Sequence, residues 1–166
     1  LQRTGHITQS ITTEHYHDLG KYLFAFGVVF WAYVAFSQYM LIWYANIGEE
    51  VVYYQMRIEN YKILYFTMFI INFAFPMLIL MSREAKRHAG ILTFVGLVIL
   101  CGHWLDVYIM VSGGSLGSTA QIGALEIGMA LLLTGIFIWV ILRNLTKLPL
   151  TPVNHPFLDE SVHHEI

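Results

Sequence analysis

Four stretches, residues 21–47, 63–81, 89–111 and 121–142, are predominantly apolar over about the 20 positions that a helix needs to cross the hydrocarbon core of a bilayer. No other feature restricts the chain as strongly. In hydrocarbon a backbone must satisfy its own polar groups, so a span is either a helix or part of a closed barrel. Barrel strands are excluded because the stretches lack alternation and are about twice the length of a barrel strand. The expected fold is all-α and integral to the membrane: a four-transmembrane-helix bundle over residues 21–142, after a lead-in loop (1–20) and before a tail (143–166). Composition agrees, since 57% hydrophobic and 12% charged residues in a chain of 166 are too apolar for a water-soluble domain of this size.

Four crossings return the chain to its starting side, and charge identifies that side. Arg3 and Lys21 precede the first span, Arg83, Lys86 and Arg87 lie between the second and third, and Arg143 and Lys147 follow the fourth. The opposite side has Arg57 and Lys62 among Glu49, Glu50 and Glu59. The positive-inside rule therefore makes both termini cytoplasmic. A net charge of −2 leaves no basic face for nucleic acid. The chain starts at Leu1 rather than Met, which reads as the C-terminal part of a longer polypeptide or a processed product.

Several local features carry structural expectations. Trp43, Tyr44, Tyr53, Tyr54, Tyr61 and Tyr65 near the outer boundary, with Tyr16 and Tyr22 near the inner one, read as an interfacial belt. The outer segment 47–61 suits an amphipathic turn or short helix lying on the membrane surface or against an extracytoplasmic partner. Pro76 removes a backbone donor and is expected to kink the second span. Ala124, Gly128 and Gly135 form a small-residue seam suited to close helix contact. The tail, with three prolines after position 147, is expected to be extended or partner-bound.

Ionisable groups inside spans are costly and by default mark a bundle-facing, functional location. Here they are His103 and Asp106 on the third span and Glu126 on the fourth. At about 1.5 Å per residue, Asp106 and Glu126 fall at similar depths, roughly 8 Å from the outer ends, with His103 one turn deeper. His103 and Asp106 are three apart and can meet on one helix face. Ser37, Gln38, Tyr39 and Thr67 fall at comparable depths and Asn72 nearer the midplane, so a polar layer is expected in the outer half. Such a layer can pass protons. It can equally be static glue, with His103 donating to Asp106 and Glu126 accepting from Tyr39 or Gln38. At the inner mouth, His15, His17 and Asp18 read either as an ordinary interfacial loop capped by Asp18 or as a proton-collecting entrance.

Metal chemistry has little to stand on. The single cysteine, Cys101, lies inside an apolar run, and His103 alone among the histidines lies in a span, whereas a bis-histidine haem needs two facing ligands. No metal site and no catalytic residue is therefore expected in this chain.

The run HDLGKY (17–22) leading into an aromatic span, FSQYMLIWYANI (36–47) closing it, and GHWLDVY (102–108) in the third span together resemble the membrane subunits of bacterial alternative complex III, in the polysulfide-reductase membrane-subunit (NrfD-like) family. The resemblance extends from His17 to about Arg143. It implies two four-helix bundles, of which this chain would supply the second, as half of a larger subunit in the bacterial inner membrane. It further implies partnership with other membrane and extracytoplasmic subunits and with a terminal oxidase or cytochrome. At the level of the complex it implies menaquinone, c-type haems and iron-sulfur clusters, the metals being held by partner subunits, while this chain binds no cofactor alone and contacts lipids.

Three functions follow as expectations. The first is a membrane subunit of a quinol-oxidising oxidoreductase complex, not catalytic by itself, that contributes a proton route through His103, Asp106 and Glu126. The second is a quinol-binding subunit with its pocket near His103 and Asp106. The third is a scaffold that docks extracytoplasmic redox subunits. A solute transporter is disfavoured, because no broken-helix pair or inverted repeat is visible.

Overall fold

The computed structural model describes residues 11–116, 122–147 and positions 156, 157 and 160. The expected tail conformation lies almost wholly outside them, as do the first ten residues and part of the loop before the fourth span. Regular structure among the described residues is helical throughout, and four helices are long and apolar enough to cross a membrane: Thr13–Ala45 (α1), Lys62–Leu80 (α3), Ala89–Ser115 (α5) and Ala124–Leu145 (α6). Two shorter helices, Gly48–Asn60 (α2) and Arg83–Arg87 (α4), stand between them. The chain is a multi-pass membrane protein of the all-α class.

Contacts divide it into two compact units, Thr13–Ala120 and a second comprising Leu1–Thr12 with Gln121–Ile166. The first unit holds α1 to α5. One half of its core is formed by Tyr54, Tyr61, Tyr65, Met68, Leu105 and Ile109, and the other by Val28, Leu80, Leu92, Val95 and Ile99. Outward-pointing side chains such as Phe26, Leu78, Leu97 and Leu100 are apolar and exposed, the inverse of a soluble protein's surface and suited to lipid.

Two expectations about boundaries are corrected. The lead-in is not a loop throughout, because helix begins at Thr13 and runs without a break into the span, through a π-helical segment at Leu23–Phe30. The extension is held by α4: Arg87 is ion-paired with Glu14, and Gly20 lets the Lys86 stem approach closely, since a Cβ there would lie 2.8 Å from its Cγ. The third span also continues past residue 111 to Ser115.

At its other end α1 stops at Asn46, whose left-handed backbone (φ 50°) and N–H bond to the Ile42 carbonyl close the helix, a role asparagine fills at small steric cost. The chain then turns into α2, the short helix expected for 47–61. It packs on α3 and α5 rather than standing free, with Tyr54 and Arg57 buried. Tyr54, Tyr61 and Tyr65 are accordingly core residues rather than belt anchors, whereas Trp43 and Tyr44 are exposed as a belt requires.

In α3 the turn before Pro76 is π-helical, Ile70–Ala74, with the Phe75 N–H bonded to the Ile70 carbonyl. Pro76 has no N–H to return to Asn72, and a widened turn accommodates its ring without breaking the helix.

In the second unit, α6 has no buried residue. Within that unit a Cβ built at Gly128 or Gly135 meets nothing within 4 Å.

Candidate functional site

The functional candidate of the first unit is built around a cation. Arg57 sits on α2 three residues after Tyr54, so both point to the same face, and that face is pressed into the bundle. Arg57 is 2% exposed. Its Nη2 lies 3.5 Å from Oδ1 of Asp106 on α5, and the other carboxylate oxygen accepts a hydrogen bond from Trp31 Nε1 on α1 at 3.1 Å. One carboxylate thus joins α1, α2 and α5.

The rest of the guanidinium's surroundings are aromatic. Its carbon lies 5.6 to 5.9 Å from the ring centres of Tyr53, Tyr54 and Tyr65, within range of cation–π attraction. The hydroxyls of Tyr54 and Tyr65 hydrogen-bond to each other, and Tyr53 donates to the Met110 carbonyl at 2.6 Å. Gly113 makes room for the arginine, because a Cβ there would stand 2.9 Å from Arg57 Cγ. Nε and Nη1 of Arg57 have no acceptor among the described residues. Leaving buried donors unpaired costs about 1–3 kcal/mol each, so the position is held against a penalty.

A cavity of about 110 Å³ adjoins the pair, its walls including Trp31, Gln38, Arg57, Met68 and Asp106. Beside it runs an apolar groove of about 380 Å³ past Phe36, Tyr39, Ile58 and Phe66. Ala35, Tyr54, Tyr65 and Phe69 line both.

The residues expected for a polar layer are only partly gathered here. Asp106 and Gln38 share the cavity wall. Tyr39 lies on the groove with its ring 5.8 Å from that of Tyr54. His103 is half-buried with its ring 6.3 Å from Trp31. The expected His103–Asp106 hydrogen bond is absent among the described residues; the carboxylate meets Trp31 and Arg57 instead. Ser37 and Thr67 are half-buried and lie off the cavity wall.

Asn72 is fully buried in the π turn of α3, where Gly102 permits the close approach of α5, and its two amide side-chain atoms are unpartnered among the described residues. Glu126, in the second unit, occupies the first turn of α6, and its carboxylate accepts a hydrogen bond from the N–H of Gly123 at 2.9 Å. It stands two residues after the helix start at Ala124, whereas the expected span started at residue 121.

Near the start of α1 Asp18 pairs with Lys21 at 2.9 Å, His15 is half-buried, and His17 is buried with Nδ1 unpartnered among the described residues. These three share one helical turn of α1, so the expected interfacial loop is a helix.

Arg57 is the residue that sequence reasoning missed, having been counted only as a charge for orientation. Its signal was available: Tyr54, Arg57 and Tyr61 recur at helical spacing, so the arginine falls on an aromatic face where solvation cannot explain it. No group of three or more His, Cys, Asp or Glu able to hold a metal occurs among the described residues. No family model and no curated protein matches the chain.

Proposed function

We propose that this chain is a non-catalytic membrane subunit of a quinol-oxidising respiratory assembly of the alternative complex III type, and that the groups around Asp106 form part of a transmembrane proton route. The assembly sits in a bacterial inner membrane, with both ends of this chain cytoplasmic. Partner subunits hold the haems and iron-sulfur clusters, and this chain holds no redox metal.

The family assignment rests on the runs at 17–22, 36–47 and 102–108, set on a chain with four helices fit to span. The proton role rests on one observation: the Asp106 carboxylate, bound by Arg57 and Trp31, borders a cavity shared with Gln38. His103, one turn away on α5, is a second titratable group on the same helix face. Asp106→Asn keeps the size of the side chain and removes its charge. In the intact assembly in proteoliposomes, protons translocated per electron are expected to fall at least twofold while quinol oxidation continues; unchanged coupling would reject the proton role.

The apolar groove beside the same cavity favours a second reading, a quinol pocket with its head near Asp106 and its tail along Phe36 and Phe66. A photoreactive quinone should then crosslink to residues of α1 and α3 around the groove. Absence of crosslinks there, with labelling of another subunit, would remove this reading.

A further inference from the structure

The cavity beside the arginine–aspartate pair has a composition that argues for its contents. Arg57 is 2% exposed, lines this cavity, and has two donor nitrogens, Nε and Nη1, with no acceptor among the described residues. Asp106 and Gln38 lie on the same wall. Trp31 gives its N–H to Asp106, and the Tyr54 and Tyr65 hydroxyls bond to each other. Each carboxylate oxygen can accept more than the single contact it has here.

At about 110 Å³ the space holds more than one water and is small for a bulky ligand. An apolar occupant would leave the guanidinium donors unpaired in a low-dielectric interior, which is the least favourable way to fill such a space. An anion would add negative charge beside a carboxylate that already neutralises the arginine. Neutral molecules rich in acceptors fit best, and water is the smallest.

We infer that this cavity is a water site: a cluster of ordered waters bridges Arg57 Nε and Nη1 to the Asp106 carboxylate and the Gln38 amide. The waters form part of the fold at this point, adding to the direct contacts that Asp106 makes between α1, α2 and α5. The inference stands independently of whether protons cross the membrane here, since it follows from unpaired donors on a residue that lines the cavity.

Met68 makes the test direct, because it lines the cavity and is only 2% exposed. Brief X-ray radiolysis of the full chain in lipid nanodiscs, in ¹⁸O-water, generates hydroxyl radicals from bound water that oxidise adjacent side chains. Met68 is expected to gain ¹⁸O at least tenfold faster than in Ala35→Leu, whose added side chain fills the cavity from its wall. Equal labelling in the two proteins, or none at Met68 in the unaltered chain, would overturn the inference.

Should Ala35→Leu not fold, a high-resolution density map of the unaltered protein decides the matter. Separate solvent peaks within hydrogen-bond distance of both Arg57 nitrogens support the inference. A dry cavity, or continuous density of a ring or acyl chain within it, defeats it. A loss of proton coupling in Asp106→Asn would not by itself bear on either result.

Discussion

Arg57 and Asp106 are each costly to bury alone and tolerable only together. Removing one partner leaves the other's charge uncompensated, and for buried pairs that loss is about 3–5 kcal/mol. The Asp106 side chain is 20% exposed, which places the expected loss at the lower end of that range. Arg57→Met alone and Asp106→Leu alone should each lower the thermal midpoint in detergent, while the double replacement should recover most of it. Equal destabilisation by the single and double variants would show that the two side chains do not interact.

Glycine supports this region at two contacts. Gly113 clears the arginine stem, and Gly102 lets Asn72 approach α5, where a Cβ would stand 2.7 Å from Asn72 Cγ and 2.8 Å from Ile71 Cγ2. Overpacking of this kind costs about 1–3 kcal/mol. Gly102→Ala should cost more than Gly128→Ala, whose added methyl meets open space, and unfolding midpoints measure the difference.

At the level of elements, hydrophobicity made the spans legible because it is a property of consecutive residues. The four apolar stretches correspond to four helices, and segment 47–61, expected as a turn or short helix on the membrane surface or against a partner, is a helix packed on α3 and α5. Failures occurred where the deciding partner is distant in sequence. Asp106 was expected to take its neighbour His103, three residues away, but is held instead by Arg57 and Trp31, which belong to other helices. Tyr54 and Tyr65 were given to an interfacial belt because aromatic residues near span ends usually lie there; α2 folds back and buries them.

Glu126 was placed five residues into a stretch starting at 121, whereas the helix begins at Ala124 and the carboxylate takes the Gly123 N–H at its first turn. Glu126→Ala is therefore expected to cost about 1 kcal/mol of stability through the lost hydrogen bond to the Gly123 N–H and to leave proton coupling unchanged. A drop in coupling would return Glu126 to the proton route.

At the level of the whole molecule, the ends of the first unit differ in character. One carries α4 with Arg83, Lys86 and Arg87 beside the start of α1; the other carries α2 with Glu49 and Glu50. With Cys101 replaced by serine, single cysteines at Gln55 and Glu84 should react with a membrane-impermeant maleimide from opposite faces of sealed vesicles, Glu84 from the cytoplasmic face. Reaction of both from one face would contradict the assigned crossings.

A structural role and a proton role for the central ion pair can be separated in one experiment. Replacing a buried pair together with apolar residues is often neutral or stabilising, so the double variant Arg57→Met with Asp106→Leu can be examined as a folded part of the assembly. The direct measurement is protons translocated per electron during quinol oxidation by that assembly in sealed proteoliposomes. The expected result is normal assembly and continued electron transfer with proton translocation reduced at least twofold. Full translocation in an assembly lacking both charges would contradict a proton role for the pair and leave it as a fastening between helices.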